Sequence, residues 1–120
     1  MPGNFIDDGE KIWLIDYEYS GNNDACFELG NIWAESFLDY EKLEELVTAY
    51  YGADRPDKLA RAWLQALLGK YGWTMWASIQ SSVSDLDFDF WQWGMGKYDL
   101  AQSEFTSARF HKALQQVTHK

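Results

Sequence analysis

From Asp24 to Val117 the apolar residues recur at intervals of three and four, while the twenty residues before them carry two short β-prone runs. That switch of period limits the chain to a helical body preceded by a small β element. Residues 4–7 and 11–16 read as two strands separated by Asp8-Gly9, a dipeptide suited to the positive φ angles of a tight hairpin turn. A lone hairpin is marginal in water, and the run Ile12-Trp13-Leu14-Ile15 predicts burial on both faces.

Asp24 is placed to cap a helix through Phe37. Asp39 begins a second helix, in which Leu43, Leu46, Val47 and Tyr50 recur until Gly52 stops it. A third starts at Pro56-Asp57, with proline in the first turn, and carries Leu59, Trp63, Leu67 and Leu68. Gly69 and Gly72 predict a kink or a split before Trp73, Trp76, Ile79 and Val83 resume the stripe. Beyond the serines of 81–84, an aromatic stretch leads into one helix or a pair from about Phe90 to Val117. The fold class is therefore mainly α with an N-terminal β-hairpin. Residues 1–120 form a single domain, with 4–16 as the hairpin and 24–120 as the helical part. A length of 120 residues with 47% hydrophobic content suits one core and not two.

The net charge of −9 argues against nucleic acid as a partner and favours a cationic ligand. Residues 1–54 hold 13 acids against Lys11 and Lys42, whereas residues 55–120 are slightly basic. Most of those carboxylates read as a solvated surface. No apolar stretch approaches the roughly 20 residues that span a bilayer. The single Cys26 has no internal disulfide partner, and no basic region followed by an apolar run opens the chain, so a reducing cytoplasm is the expected compartment.

Antiparallel pairing around the turn brings residues near 4 opposite residues 13–15, so Asn4 and Asp16 converge at the open end. An amide oxygen and a carboxylate together offer what magnesium takes from protein when phosphates and water complete its shell. Isolated, such a pair is also ordinary turn chemistry.

Aromatic residues make up 18% of the chain. Trp73 and Trp76 share a helix face, and Phe88, Phe90, Trp91 and Trp93 arrive from the next segment. Such rings can wall a box for a quaternary ammonium, each cation–π contact being worth about 0.5–2 kcal/mol, with Asp85, Asp87 and Asp89 adding a favourable field. The competing reading is that rings at helical spacing are core, and Trp13, Trp33 and Trp63 are assigned there. His111 and His119 have no companion Cys or Asp at ligand spacing and read as neither ligands nor bases.

Gly3-Asn4, Ile15-Asp16-Tyr17-Glu18-Tyr19-Ser20-Gly21, Phe27-Glu28-Leu29-Gly30-Asn31 and Glu35 form one block. Trp73-Thr74-Met75-Trp76 with Gln80, then Asp87-Phe88 and Trp93, form a second. Together they resemble the C-terminal lobe of the choline/ethanolamine kinases, in the aminoglycoside-phosphotransferase group of protein-kinase-like folds, over residues 3 to about 110. The resemblance implies Asn4 and Asp16 as magnesium ligands. It implies Tyr19, Glu35, Trp73, Trp76, Phe88 and Trp93 as the substrate pocket for choline, ethanolamine or another amino alcohol, with ATP and Mg2+ as cofactors of the intact enzyme. Trp93 stands where choline kinases usually have Tyr, and Glu28 where Asp is usual.

The same resemblance requires a Gly-rich loop, a strand Lys and a His-x-Asp whose Asp accepts the substrate proton. None occurs in these 120 residues, and the catalytic Asp, five residues before Asn4, would precede Met1. No catalytic residue is therefore assigned, the chain reads as an N-terminally truncated fragment, and alone it is expected to be inactive, with cofactor binding by the fragment itself left open. Two other readings stay open. One is a quaternary-ammonium binding module without chemistry. The other is a helical interaction domain that forms a homodimer through an apolar face.

Overall fold

The computed structural model describes residues 2–18 and 20–118. After a 3-10 turn at Pro2–Asn4, strands β1 (Phe5–Asp7) and β2 (Ile12–Leu14) pair antiparallel, and five helices follow. These are α1 (Ala25–Glu35), α2 (Tyr40–Tyr51), α3 (Pro56–Val83), α4 (Phe90–Phe105) and α5 (Ala108–Thr118). The mainly helical architecture with one hairpin agrees with the sequence reading.

Polar punctuation sets the helix limits. The Asp24 carboxylate caps α1 by accepting from Cys26 N at 2.9 Å and also pairs with Arg61 on α3. Burial pushes this carboxyl up, but the Cys26 backbone N–H and the Arg61 guanidinium outweigh it and hold it below its ordinary 3.8. Its contribution to stability is present above that ordinary value and is lost as pH falls through the lower folded one. Gly52, at φ 71°, closes α2, its N–H donating to the Thr48 carbonyl at 2.8 Å. Pro56 opens α3, and Asp89 caps α4 by accepting from Gln92 N at 2.8 Å.

Helix α3 is the spine, in contact with the other four helices. It runs unbroken through Gly69 and Gly72, so the split that the sequence left open does not occur. Two glycines cost a helix about 1 kcal/mol each. Packing of α3 on both sides of them outweighs that. The core joins Leu29 and Trp33 of α1, Leu43 and Val47 of α2, and Trp63, Ala66 and Leu67 of α3 with Ala101 and Ala113 from the last two helices. Trp33 and Trp63 are core, as expected. Cys26 is fully buried beside the Tyr51 hydroxyl, and burial pushes its thiol up.

The same rule fails for Trp13. Trp13 is 47% exposed and Ile12 68%, because no described residue covers the faces of the hairpin. The Trp13 indole instead donates to Asp8 Oδ2 at 2.5 Å and carries Lys11 Nζ 3.4 Å above its ring. That indole bond, with the backbone N–H groups of Lys11 and Glu10, holds the Asp8 carboxyl below its ordinary value.

Candidate functional site

The hairpin register pairs Phe5 with Leu14 and Asp7 with Ile12, so the turn centres on Gly9-Glu10, one residue later than predicted. Gly9 takes φ 89° there. At the open end, Ile15 N donates to the Asn4 carbonyl at 3.0 Å, which brings the Asn4 and Asp16 side chains together. Asn4 Nδ2 lies 3.4 Å from Asp16 Oδ2, a long and weak hydrogen bond. Asp16 has φ 65°, a left-handed conformation unusual outside glycine and tolerated by Asp.

The donor set fits magnesium in kind. One carboxylate and one amide oxygen, with the amide turned to present Oδ1, leave positions for phosphate and water. It is not a complete protein cage, and among the described residues no group of three or more His, Cys, Asp or Glu forms one.

The aromatic cluster sits on the α3–α4 seam. Trp73 and Trp76 of α3 lie 5.7 Å apart between ring centroids, and Trp93 of α4 lies 6.4 and 6.1 Å from them, all edge to face. Each of the three is half-buried. Phe90 completes the group 5.7 Å from Trp76. Phe88, expected in the box, is 53% exposed and touches Phe90 but not the tryptophans. The Asp89 cap decides this, because it makes Phe90 the first residue inside α4 and leaves Phe88 on the preceding turn. Trp91 also lies outside the cluster. With Tyr71, Met75, Ile79, Met95 and Tyr98 it lines a cavity of about 390 Å³ elsewhere between α3 and α4. Tyr19 lies outside the described residues.

Two polar contacts not anticipated from sequence hold the cluster. Asn31 Oδ1 of α1 accepts from Trp73 Nε1 at 3.2 Å, fixing the plane of that indole. Glu35, the last residue of α1, is 4% exposed and accepts at Oε1 from Lys97 Nζ of α4 at 2.6 Å. The Lys97 ammonium also lies 5.1 Å from the Trp93 ring centroid. Glu35 thus stands beside the aromatic cluster with a lysine as its counterion. Glu28 is exposed in the first turn of α1, where a carboxylate suits the helix dipole.

The close approach of α1 to α3 depends on Gly30, whose α-carbon faces the Ala62 carbonyl. At the α3–α4 seam a Cβ on Gly94 would come within 2.6 Å of Ala77 Cβ, which explains the small residues beside the tryptophans.

The fold of hairpin and helical body has a counterpart among solved structures. No protein-family model matches the chain. A choline/ethanolamine kinase family protein from Mesorhizobium loti superposes with a TM-score of 0.86 at 31% identity, over 95% of this chain and 39% of its own. This chain is homologous to a stretch of the choline/ethanolamine kinases. A probable ethanolamine kinase of Arabidopsis thaliana is 28% identical over 88% of the chain, and ethanolamine kinase 2 of Mus musculus is 30% identical over 80%. The chain spans about a third of the length of these curated relatives, 32% and 30% respectively. Set beside choline/ethanolamine kinases, its fold is that of their C-terminal lobe. Among the described residues no helix is long and apolar enough to cross a membrane.

Proposed function

We propose that this chain is the metal-holding and alcohol-binding part of a phosphotransferase that moves the γ-phosphoryl group of ATP to an amino alcohol such as choline or ethanolamine. The observation that carries the proposal is the half-buried set of Trp73, Trp76 and Trp93 beside the buried Glu35, in a chain homologous to choline/ethanolamine kinases. Ring faces recognise an ammonium without needing hydrogen bonds from it, so the cluster holds the cationic end of the substrate and leaves its hydroxyl free.

Asn4 and Asp16 would hold Mg2+, which when bound supplies charge neutralisation to the phosphates. Asn31 keeps the Trp73 ring in its plane, so that part of the ordering cost of binding is already met in the fold. A residue to take the hydroxyl proton and a clamp for the nucleotide are absent from these 120 residues. The chain alone therefore binds the alcohol without phosphorylating it.

Tryptophan fluorescence titrated with choline, ethanolamine and tetramethylammonium tests this. The expected result is saturable quenching that is lost in Trp76→Ala while the far-ultraviolet circular dichroism is retained. No response in the folded, unsubstituted chain would refute the binding role. It would favour the second reading, self-association through the exposed apolar residues Phe5, Ile6, Ile12 and Trp13 of the hairpin.

A further inference from the structure

Lys97 lies one helical turn beyond Trp93 on α4, and only 5% of it is exposed. Its ammonium lies 2.6 Å from Glu35 Oε1, 5.1 Å from the Trp93 ring centroid and 5.3 Å from the Phe37 ring centroid. The ring that would receive a ligand cation already carries one, and the carboxylate beside it already has a counterion. A positive group entering this site meets an ion pair, whose field falls off far faster than that of a lone carboxylate.

We propose that Lys97 is a specificity-determining residue that sets how tightly the aromatic site holds cations, by sitting on Trp93 and engaging Glu35. This rests on the amino-alcohol reading of the site. Lys97 acts on the ligand through its two neighbours. With Glu35 Oε1 taken by the lysine, a primary ammonium gains less from that carboxylate than it otherwise would, and recognition shifts towards the ring faces. The device makes the site tolerant of both quaternary and primary ammonium groups at the expense of affinity. Removing the lysine charge frees the carboxylate for the ligand. A primary ammonium benefits more than a quaternary one, since only the former donates a hydrogen bond.

The test is titration of the full chain with ethanolamine and with tetramethylammonium, for the unsubstituted protein, Lys97→Met, and Lys97→Met combined with Glu35→Gln. Lys97→Met is expected to bind ethanolamine at least about tenfold more tightly, and tetramethylammonium about threefold more tightly. The combined variant should lose that gain. Binding by the unsubstituted chain with no gain in Lys97→Met overturns the role of Lys97 alone, while absence of binding in all three overturns the amino-alcohol reading with it.

Should Lys97→Met not fold, the same question is answered in the unsubstituted chain by 15N resonances of the lysine ammonium groups. Saturating ligand should shift the Lys97 signal and leave that of Lys70, which is paired with Glu104, in place. An unmoved Lys97 signal contradicts the proposal.

Discussion

Glu35→Ala is expected to destabilise the chain by about 3–5 kcal/mol, because it leaves the Lys97 ammonium buried and unpaired. Both side chains are almost fully withdrawn from water, at 6% and 4% exposure, and 62 residues of sequence separate them, so the contact closes α1 onto α4. Little water can replace the lost carboxylate. The Trp93 and Phe37 rings, each more than 5 Å from the ammonium, offset only part of the loss. Replacing both partners, Glu35→Leu with Lys97→Met, should recover stability to within about 1 kcal/mol of the starting chain, since a buried ion pair gains little over well-packed apolar groups. Urea denaturation followed by circular dichroism measures both. A cost below about 1 kcal/mol for Glu35→Ala would mean that the pair is open to solvent.

Gly30→Ala should lower the melting temperature by about 5–15 °C, from an overpacking cost of about 1–3 kcal/mol. A Cβ at this position overlaps the Ala62 carbonyl oxygen and lies 3.0 Å from Ala66 N, and both are backbone atoms of α3 that cannot rotate away. Helix α1 would have to withdraw from the spine, taking Leu29 and Trp33 out of register with the core. Gly69→Ala is the control, with opposite sign. Its Cβ would meet only Asn31 Oδ1 at 3.8 Å, so the usual helix-propensity gain of about 0.5–1 kcal/mol should appear. Differential scanning calorimetry separates the two, and equal shifts for both glycines would contradict the close α1–α3 approach.

These two sites mark where the sequence was legible and where it was not. The helices could be read because Asp24, Gly52 and Pro56 punctuate them locally. The meeting of Asn4 and Asp16 followed from hairpin geometry even with the turn misplaced by one residue, because the register still sets Asn4 beside Ile15. Pairs between distant segments were invisible. Nothing local says that Lys97 reaches Glu35 or that Lys70 reaches Glu104. A usable hint was there in Lys70, a lone charge in the otherwise apolar and aromatic stretch from Leu67 to Trp76, where burial with a partner is the economical outcome. The choice between Phe88 and Phe90 depended on the Asp89 cap, which leaves Phe88 on the turn before the helix. The expected burial of Trp13 presumed a neighbour that the described residues do not supply.

The most direct test of the account joins this chain, in frame, behind the preceding part of an ethanolamine kinase relative that carries the catalytic base and nucleotide lobe, and measures phosphorylation of ethanolamine and choline. The account predicts turnover of at least one of them, reduced about 100-fold or more by Asp16→Asn and in parallel with the loss of amino-alcohol binding by Trp76→Ala. A chimaera that folds and binds ATP yet phosphorylates neither alcohol, or one indifferent to Asp16→Asn, would contradict it.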